Sequence, residues 1–275
     1  MKKVFRFLFI VVALLATICP VPASAREKTE PMNCLSTLIE QIRDRKLAVI
    51  DLSHTLNNKT PLFDEHEPEM VYKTVANYEH DGYRAGSFEM LEHFGTHIDA
   101  PAHFVSSNPT IDQLDPDKMI LPAVVIDVRD EVEKNADYRL TKEKIIAFEK
   151  TASIPAGSAV FLLTGWGHRW GDAKLYRNSD AKGESRFPGF GIEAAKYLVE
   201  EKKIFALGID TLSIDYGLSK EFDVHKLVLG RKLFMIENLD KLDLLPATGA
   251  VVFCGPMKLE GGSGSPARIL AVVPK

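Results

Sequence analysis

The 275-residue chain has few cysteines and no surplus of basic residues. Three cysteines are too few for a disulfide framework. Because 34 Lys and Arg stand against 38 Asp and Glu, we expect no nucleic-acid partner. The composition, 45% hydrophobic and 26% charged, is that of a globular protein and excludes a disordered chain, a collagen-like repeat and a polytopic membrane protein.

The first 25 residues have the pattern of a secretory signal peptide. Three basic residues within the first six positions precede an apolar run at 7–16, about ten residues long, and small residues occupy 23–25. We expect cleavage after Ala25, which leaves 26–275 as one exported domain, periplasmic or secreted and free of the membrane. An uncleaved membrane anchor is the alternative.

Two cysteines, Cys34 and Cys254, remain in the expected mature chain. Cys254 follows an apolar run at 249–253 and is expected to be a buried core thiol. No neighbour of either cysteine would lower its thiol pKa, so a thiol nucleophile is not expected. Whether the two form a disulfide in an oxidising compartment stays open.

Hydrophobic periodicity predicts interleaved helices and strands. The predicted helices are 33–46, 141–150 and 191–202, and the predicted strands are 48–56, 83–92, 121–128, 158–164, 203–209, 232–236, 249–254 and 269–273. This order favours an α/β fold, a single domain with a mixed, partly barrel-like β-sheet and flanking helices. The glycine-rich stretch 261–266 is predicted to be a loop near a site.

Three histidines and one aspartate lie within eleven residues, at His93, His97, Asp99 and His103. Imidazole nitrogen and carboxylate oxygen are ligands of Zn²⁺ and Mn²⁺. Positions 97 and 99 share a face of an extended chain, and Gly95 allows a sharp bend before them. The pattern therefore predicts metal binding; a polar loop with hydrogen-bonded histidines is the alternative.

The motif H-x-G-T-H-x-D-x-P-x-H, at 93–103, resembles the signature of the cyclase-like metal-dependent hydrolases, a family of the bacterial kynurenine formamidase and isatin hydrolase type. Other segments resemble the family in the same order: D-L-S at 51–53, T-G-W at 164–166, G-x-D-T-x-S-x-D at 208–215, His225, E-N-L at 237–239 and the glycine-rich end at 261–268. The resemblance spans nearly the whole expected mature chain.

The resemblance implies a fold, a metal centre and an assembly. It implies the cyclase-like swivelling β/β/α fold and a homodimer or homotetramer. It places one or two divalent ions, Zn or Mn, on the ligands His93, His97, Asp99, His225 and Glu237. It also places His103 beside the metal as an acid/base residue, with an orienting role as the alternative.

The function that these features predict is hydrolysis of a C–N amide bond in a small aryl-formamide or cyclic amide by metal-activated water. A lactone hydrolase or dehydratase of the same family, or a non-catalytic periplasmic metal- or ligand-binding protein, is the alternative. We expect Trp166, Phe63 and Ser213 to contact the substrate. Trp166 could equally be a core residue, because it follows a predicted buried strand.

Overall fold

The computed structural model describes residues 34–275, so the predicted signal peptide lies outside the described residues. Residues from Gln41 to Lys275 form one compact unit, and the described residues 34–40 belong to a separate unit. The seven α-helices of the described part, α1 to α7, are Cys34–Arg43, Tyr78–Asp81, Arg129–Lys134, Lys142–Phe148, Ala173–Arg177, Ile192–Lys196 and Asp223–Gly230. Not one of these is both long and apolar enough to cross a membrane.

Twelve strands are found in the same described part. In chain order, β1 to β12 are Leu47–Asp51, Val71–Ala76, Ala85–Glu89, His97–Asp99, Ile120–Asp127, Arg139–Leu140, Ala159–Leu163, Gly189–Phe190, Ala206–Ile209, Phe234–Glu237, Ala250–Pro256 and Gly264–Pro274. Eight of them form one sheet in the order β1-β12-β11-β5-β7-β9-β10-β4. Because β4 also pairs with β12, seven of these strands close into a barrel.

The barrel sheet is mixed. Strands β5, β7, β9 and β10 run parallel, whereas β4, β11 and β12 pair antiparallel with their neighbours. The central strands are buried on both faces, as β7 shows, since all five of its residues are buried. These features confirm the predicted single α/β domain with a mixed, barrel-like sheet.

Two clusters of buried apolar side chains pack against the sheet, one on each face. Along β5, Val124 and Ile126 belong to a cluster that includes Ala194 of α6 and Val228 of α7, so this cluster joins the sheet to the helices. Val125 belongs to a second cluster on the opposite face of the sheet. The helices therefore lie on one face of the closed sheet, and alternation along each strand assigns every side chain to one cluster.

Several predicted elements have different bounds in the structure. The predicted final strand at 269–273 begins earlier, at Gly264, because its first residues pair with β4; half of the predicted loop 261–266 is therefore strand. The predicted helix 191–202 is α6 followed by a π-helical turn, Tyr197–Glu201. Strand β2 and helix α7 were not predicted, since β2 is largely exposed and α7 is only eight residues long.

Candidate active site

The site is built on β4, the three-residue strand that closes the barrel. His97 and Asp99 are two positions apart on this strand, so their side chains share a face. Glu237 of β10 pairs directly with His97. Gly95 makes the preceding bend with φ +65°, and a Cβ atom there would lie 2.2 Å from Leu56 Cδ2, so only glycine fits without rearrangement.

Two imidazoles and two carboxylates converge in a buried cluster. His97 Nε2 lies 3.2 Å from Asp99 Oδ1 and 3.4 Å from Glu237 Oε2. His225, on α7, places its Nε2 atom 3.2 Å from Glu237 Oε1 and 3.5 Å from Asp99 Oδ2. All four side chains are buried, and strands β4 and β10 and helix α7 bring each imidazole within 3.5 Å of both carboxylates.

The Nδ1 atoms of both imidazoles form hydrogen bonds outside the cluster. His97 Nδ1 is 2.9 Å from the carbonyl oxygen of Gly95, and His225 Nδ1 is 2.7 Å from Asp215 Oδ2. Both partners accept, so each Nδ1 carries a proton and each Nε2 is the nitrogen that faces the cluster. Asp215 is itself held by the backbone N–H groups of Val224 and His225.

The donor set fits a divalent cation. Within residues 34–275, His97 Nε2 and Asp99 Oδ2 are buried atoms that form no hydrogen bond. A buried polar atom without a partner is costly, and nitrogen and carboxylate oxygen together suit Zn²⁺ or Mn²⁺. Ligand atoms of His97, Asp99 and Glu237 lie within 4.8 Å of one another, close enough for one ion.

A second group of possible ligands adjoins the first and shares Asp99 with it. Ligand atoms of His93, Asp99 and His103 also lie within 4.8 Å of one another. His93 Nδ1 is 2.6 Å from Asp99 Oδ1, its Nε2 is 3.0 Å from Ser263 Oγ, and its ring stacks on that of His103 at 3.9 Å between centroids. The aspartate can therefore bridge two adjacent positions.

Without a cation, the electrostatics of the cluster favour an ionised Asp99, a protonated His97 and a neutral His103. Burial opposes ionisation of His97, but the charge of Asp99 and contacts with Glu237 raise its pKa to about 10. Burial likewise opposes ionisation of Asp99, yet the adjacent histidines hold its pKa well below its usual range. The His103 side chain is exposed at the cavity, and partial desolvation by its neighbours lowers its pKa to about 4, so its ring is neutral at pH 7 and can accept a proton.

The cluster forms the floor of a cavity of about 550 Å³. Three phenylalanines line its wall: Phe104 and Phe222 lie 5.7 Å apart between ring centroids, and Phe63 lies 6.3 Å from Phe222. Ser213 also lines the cavity, and its buried Oγ has no hydrogen-bond partner among the described residues. Phe63 and Ser213 thus lie where a substrate would contact them.

Trp166 does not line this cavity, and the expectation that it contacts substrate is corrected. Its ring is 1% exposed and belongs to the cluster between sheet and helices. The turn at Gly165, with φ +77°, directs the chain after β7 into a short 3₁₀ helix, Trp166–Arg169. The indole Nε1 donates to the backbone oxygen of Tyr176 at 2.7 Å.

Sequence reasoning missed three residues that shape the site. Asp215 orients His225, and its signal was present as the last aspartate of the 208–215 motif. Asn238 follows Glu237 in the 237–239 motif and lines the cavity. Phe222 precedes α7 with a left-handed φ of +51°, and no local pattern in the sequence indicates its position.

The chain resembles known proteins over most of its length. Residues 50–216 match the family model described as "Putative cyclase". An isatin hydrolase of Roseibium aggregatum is 34% identical over 88% of this chain and 98% of its own, and a kynurenine formamidase of Bacillus cereus is 25% identical over 80% and 94%. A crystal structure of an isatin hydrolase bound to the product analogue thioisatinate superposes with TM-score 0.83, at 33% identity over 88% of this chain and 98% of that chain.

Proposed function

Because the chain belongs to the cyclase family and is a metal-dependent amide hydrolase, we propose that its substrate is a small aryl-formamide or a cyclic amide of the isatin type. The observation that carries the proposal is the cluster of unpartnered ligand atoms at the floor of a cavity walled by phenylalanines. A flat aromatic ring fits that wall, and the amide carbon would then face the cluster.

We propose that the cation, Zn²⁺ or Mn²⁺, is held by His97, Asp99 and Glu237 together with His225, and that His93 and Asp99 provide a second position. When bound, such an ion lowers the pKa of water towards roughly 7 and polarises the amide carbonyl. The four-residue set supplies two negative charges and, once a cation displaces the Nε2 proton of each histidine, two neutral nitrogens, which suits a divalent ion.

The protein's own residues perform the remaining steps. His103, neutral at pH 7, takes a proton from the attacking water and returns it to the nitrogen as the C–N bond breaks. Ser213 Oγ donates a hydrogen bond to the substrate. Phe104 and Phe222 pack against the aromatic ring and exclude water from it. The products are a carboxylate and an amine, joined in one molecule when the substrate is a lactam.

Metal removal and restoration test this proposal. The chain is stripped with EDTA, reloaded with Zn²⁺ or Mn²⁺, and assayed with formanilides, isatin and simple lactones. We expect cation-dependent turnover of formanilides or isatin. Turnover of lactones alone would favour the lactone hydrolase alternative, and cation binding without turnover of any compound would favour a binding protein.

We propose further that the mature chain, residues 26–275, is exported and assembles as a homodimer or homotetramer. The signal pattern of the first 25 residues supports export. The β2–β3 hairpin supports assembly, because Tyr72, Val75 and Phe88 expose more than half of their surface on it. Mass spectrometry of the chain from the exporting host would show the N-terminus, and size-exclusion chromatography with light scattering would show the assembly.

A further inference from the structure

A chain of buried hydrogen bonds runs from Trp166 to the backbone beside the proposed cation site. The indole N–H of Trp166 donates to the backbone oxygen of Tyr176 at 2.7 Å, and the Tyr176 hydroxyl donates to Asn238 Oδ1 at 2.9 Å. Asn238 Nδ2 donates to the carbonyl oxygen of Gly95 at 2.9 Å. His97 Nδ1 donates to the same carbonyl oxygen at 2.9 Å. The chain thus ends on a group that orients a proposed ligand.

Asn238 is fixed on every side. It is 3% exposed and has a left-handed φ of +56°, a conformation that asparagine tolerates better than most residues. Its backbone N–H donates to Thr211 O at 3.0 Å, and its carbonyl accepts from Thr96 Oγ1 at 2.6 Å. It also directly follows Glu237. The side-chain amide therefore has little freedom except to turn over about its own axis.

The neighbours of the amide decide which way it faces. The Gly95 carbonyl can only accept, so Asn238 must direct its NH₂ group there. Asn238 Oδ1 then faces the Tyr176 hydroxyl, which shares its proton between Asn238 Oδ1 at 2.9 Å and the carbonyl oxygen of Asp210 at 3.0 Å. Burial raises the pKa of Tyr176 well above its usual range, so this hydroxyl keeps its proton. A turned amide would place two oxygens against each other at Gly95.

The consequence for His97 is a fixed tautomer. With the Gly95 carbonyl held in place by Asn238, Nδ1 of His97 keeps its proton, so Nε2, which faces Asp99, is the nitrogen left to bind a cation. We propose that Asn238, oriented by Tyr176, is a positioning residue that holds His97 in the tautomer and orientation that bind the cation. This inference rests on the proposed cation site and adds residues that do not need to touch the ion.

Zinc affinity of the metal-stripped full chain, measured against a competing chelator, tests the inference. Asn238→Gly removes the amide without straining the left-handed backbone, and we expect 10- to 100-fold weaker Zn²⁺ binding, roughly the effect of losing a group that orients a metal ligand. Tyr176→Phe removes one hydroxyl, and we expect binding weaker by about two- to tenfold. Because Tyr176 acts through Asn238, the double variant should bind no more weakly than Asn238→Gly alone.

A matched control and a spectroscopic measurement separate positioning from general stability. Tyr197→Phe also removes a tyrosine hydroxyl that donates a hydrogen bond, in this case to Glu149 Oε2 at 2.8 Å. Tyr197 does not line the cavity, so the Zn²⁺ affinity of this variant should stay within twofold of wild type. In the zinc-loaded protein, ¹⁵N–¹H correlation spectra should show His97 protonated on Nδ1, with a signal that shifts in Tyr176→Phe and not in Tyr197→Phe.

Each outcome decides the inference. Wild-type Zn²⁺ affinity in both Tyr176→Phe and Asn238→Gly overturns it, as do losses that multiply in the double variant. A lower melting temperature of Tyr176→Phe with unchanged affinity and an unchanged His97 signal also overturns it. If Asn238→Gly does not fold, Tyr176→Phe and the spectra decide alone. A wild-type chain that binds no Zn²⁺ overturns the proposed function, whereas a wild type that binds while the variants match it overturns only the inference.

Discussion

Replacing His103 by alanine should separate proton transfer from cation binding. The ring stacks on His93 at 3.9 Å and is neutral at pH 7, because partial desolvation lowers its pKa to about 4. Proton transfer by a positioned side chain contributes roughly 10²- to 10⁴-fold in rate. At about 1.36 kcal/mol per factor of ten, this corresponds to about 2.7–5.4 kcal/mol of activation free energy. We expect kcat to fall by that factor, with little change in KM.

The assay compares initial rates and metal content of His103→Ala with those of a control, His80→Ala. His80 is exposed on α2 and does not line the cavity, so its variant should match wild type in both measurements. A His103→Ala rate within about threefold of wild type would refute the proton-transfer role, since the smallest expected loss is about 100-fold. Loss of the cation together with the rate would instead make His103 a ligand.

Three further predictions concern other residues. His97→Ala should lose cation and turnover together, because Nε2 lies within 3.4 Å of both carboxylates; metal analysis alongside rates checks this, and full metal content would contradict it. Ser213→Ala should raise KM by about two- to tenfold, the value of one hydrogen bond, with unchanged Zn²⁺ affinity; an unchanged KM would exclude the contact. His54 stacks on Trp170, and burial lowers its pKa to about 4. Below pH 6.5 the unfolded state therefore binds a proton that the folded state does not, so the free energy of unfolding decreases as the pH is lowered. Urea unfolding at pH 7.5 and pH 5 should show this loss, about 2 kcal/mol from His54, in wild type and not in His54→Phe; equal losses in the two proteins would refute it.

Local patterns in the sequence predicted much of the sheet and part of the site. Strands β5, β7 and β9 were predictable because they are buried on both faces and read as continuous apolar runs. The shared face of His97 and Asp99 followed from the two-residue period of an extended chain. His225 and Glu237 could be connected with this face only by resemblance to a family, because about 130 residues separate them from it.

The residues that were missed depend on tertiary contacts. Trp166 follows a buried strand, and the sequence does not show whether the next turn directs its ring into the cavity or into the apolar cluster between sheet and helices. Phe222 reaches the cavity wall only through a left-handed backbone conformation before α7. Strand β2 is exposed at five of its six positions, so it lacks the apolar alternation by which strands are predicted.

The strand that closes the barrel, β4, also carries His97 and Asp99 of the site. Strand β4 has only three residues, yet it pairs with β10 on one side and β12 on the other. The hydrogen bonds of these ladders therefore fix His97, Asp99 and Glu237 relative to one another with the stiffness of a sheet. His225 and His103 come from outside the sheet, from α7 and from a 3₁₀ turn at Pro101–His103. The proposed proton-transfer group, His103, therefore lies outside the β4–β10 ladder that fixes His97, Asp99 and Glu237, so a small movement of its turn would leave those three ligands in place.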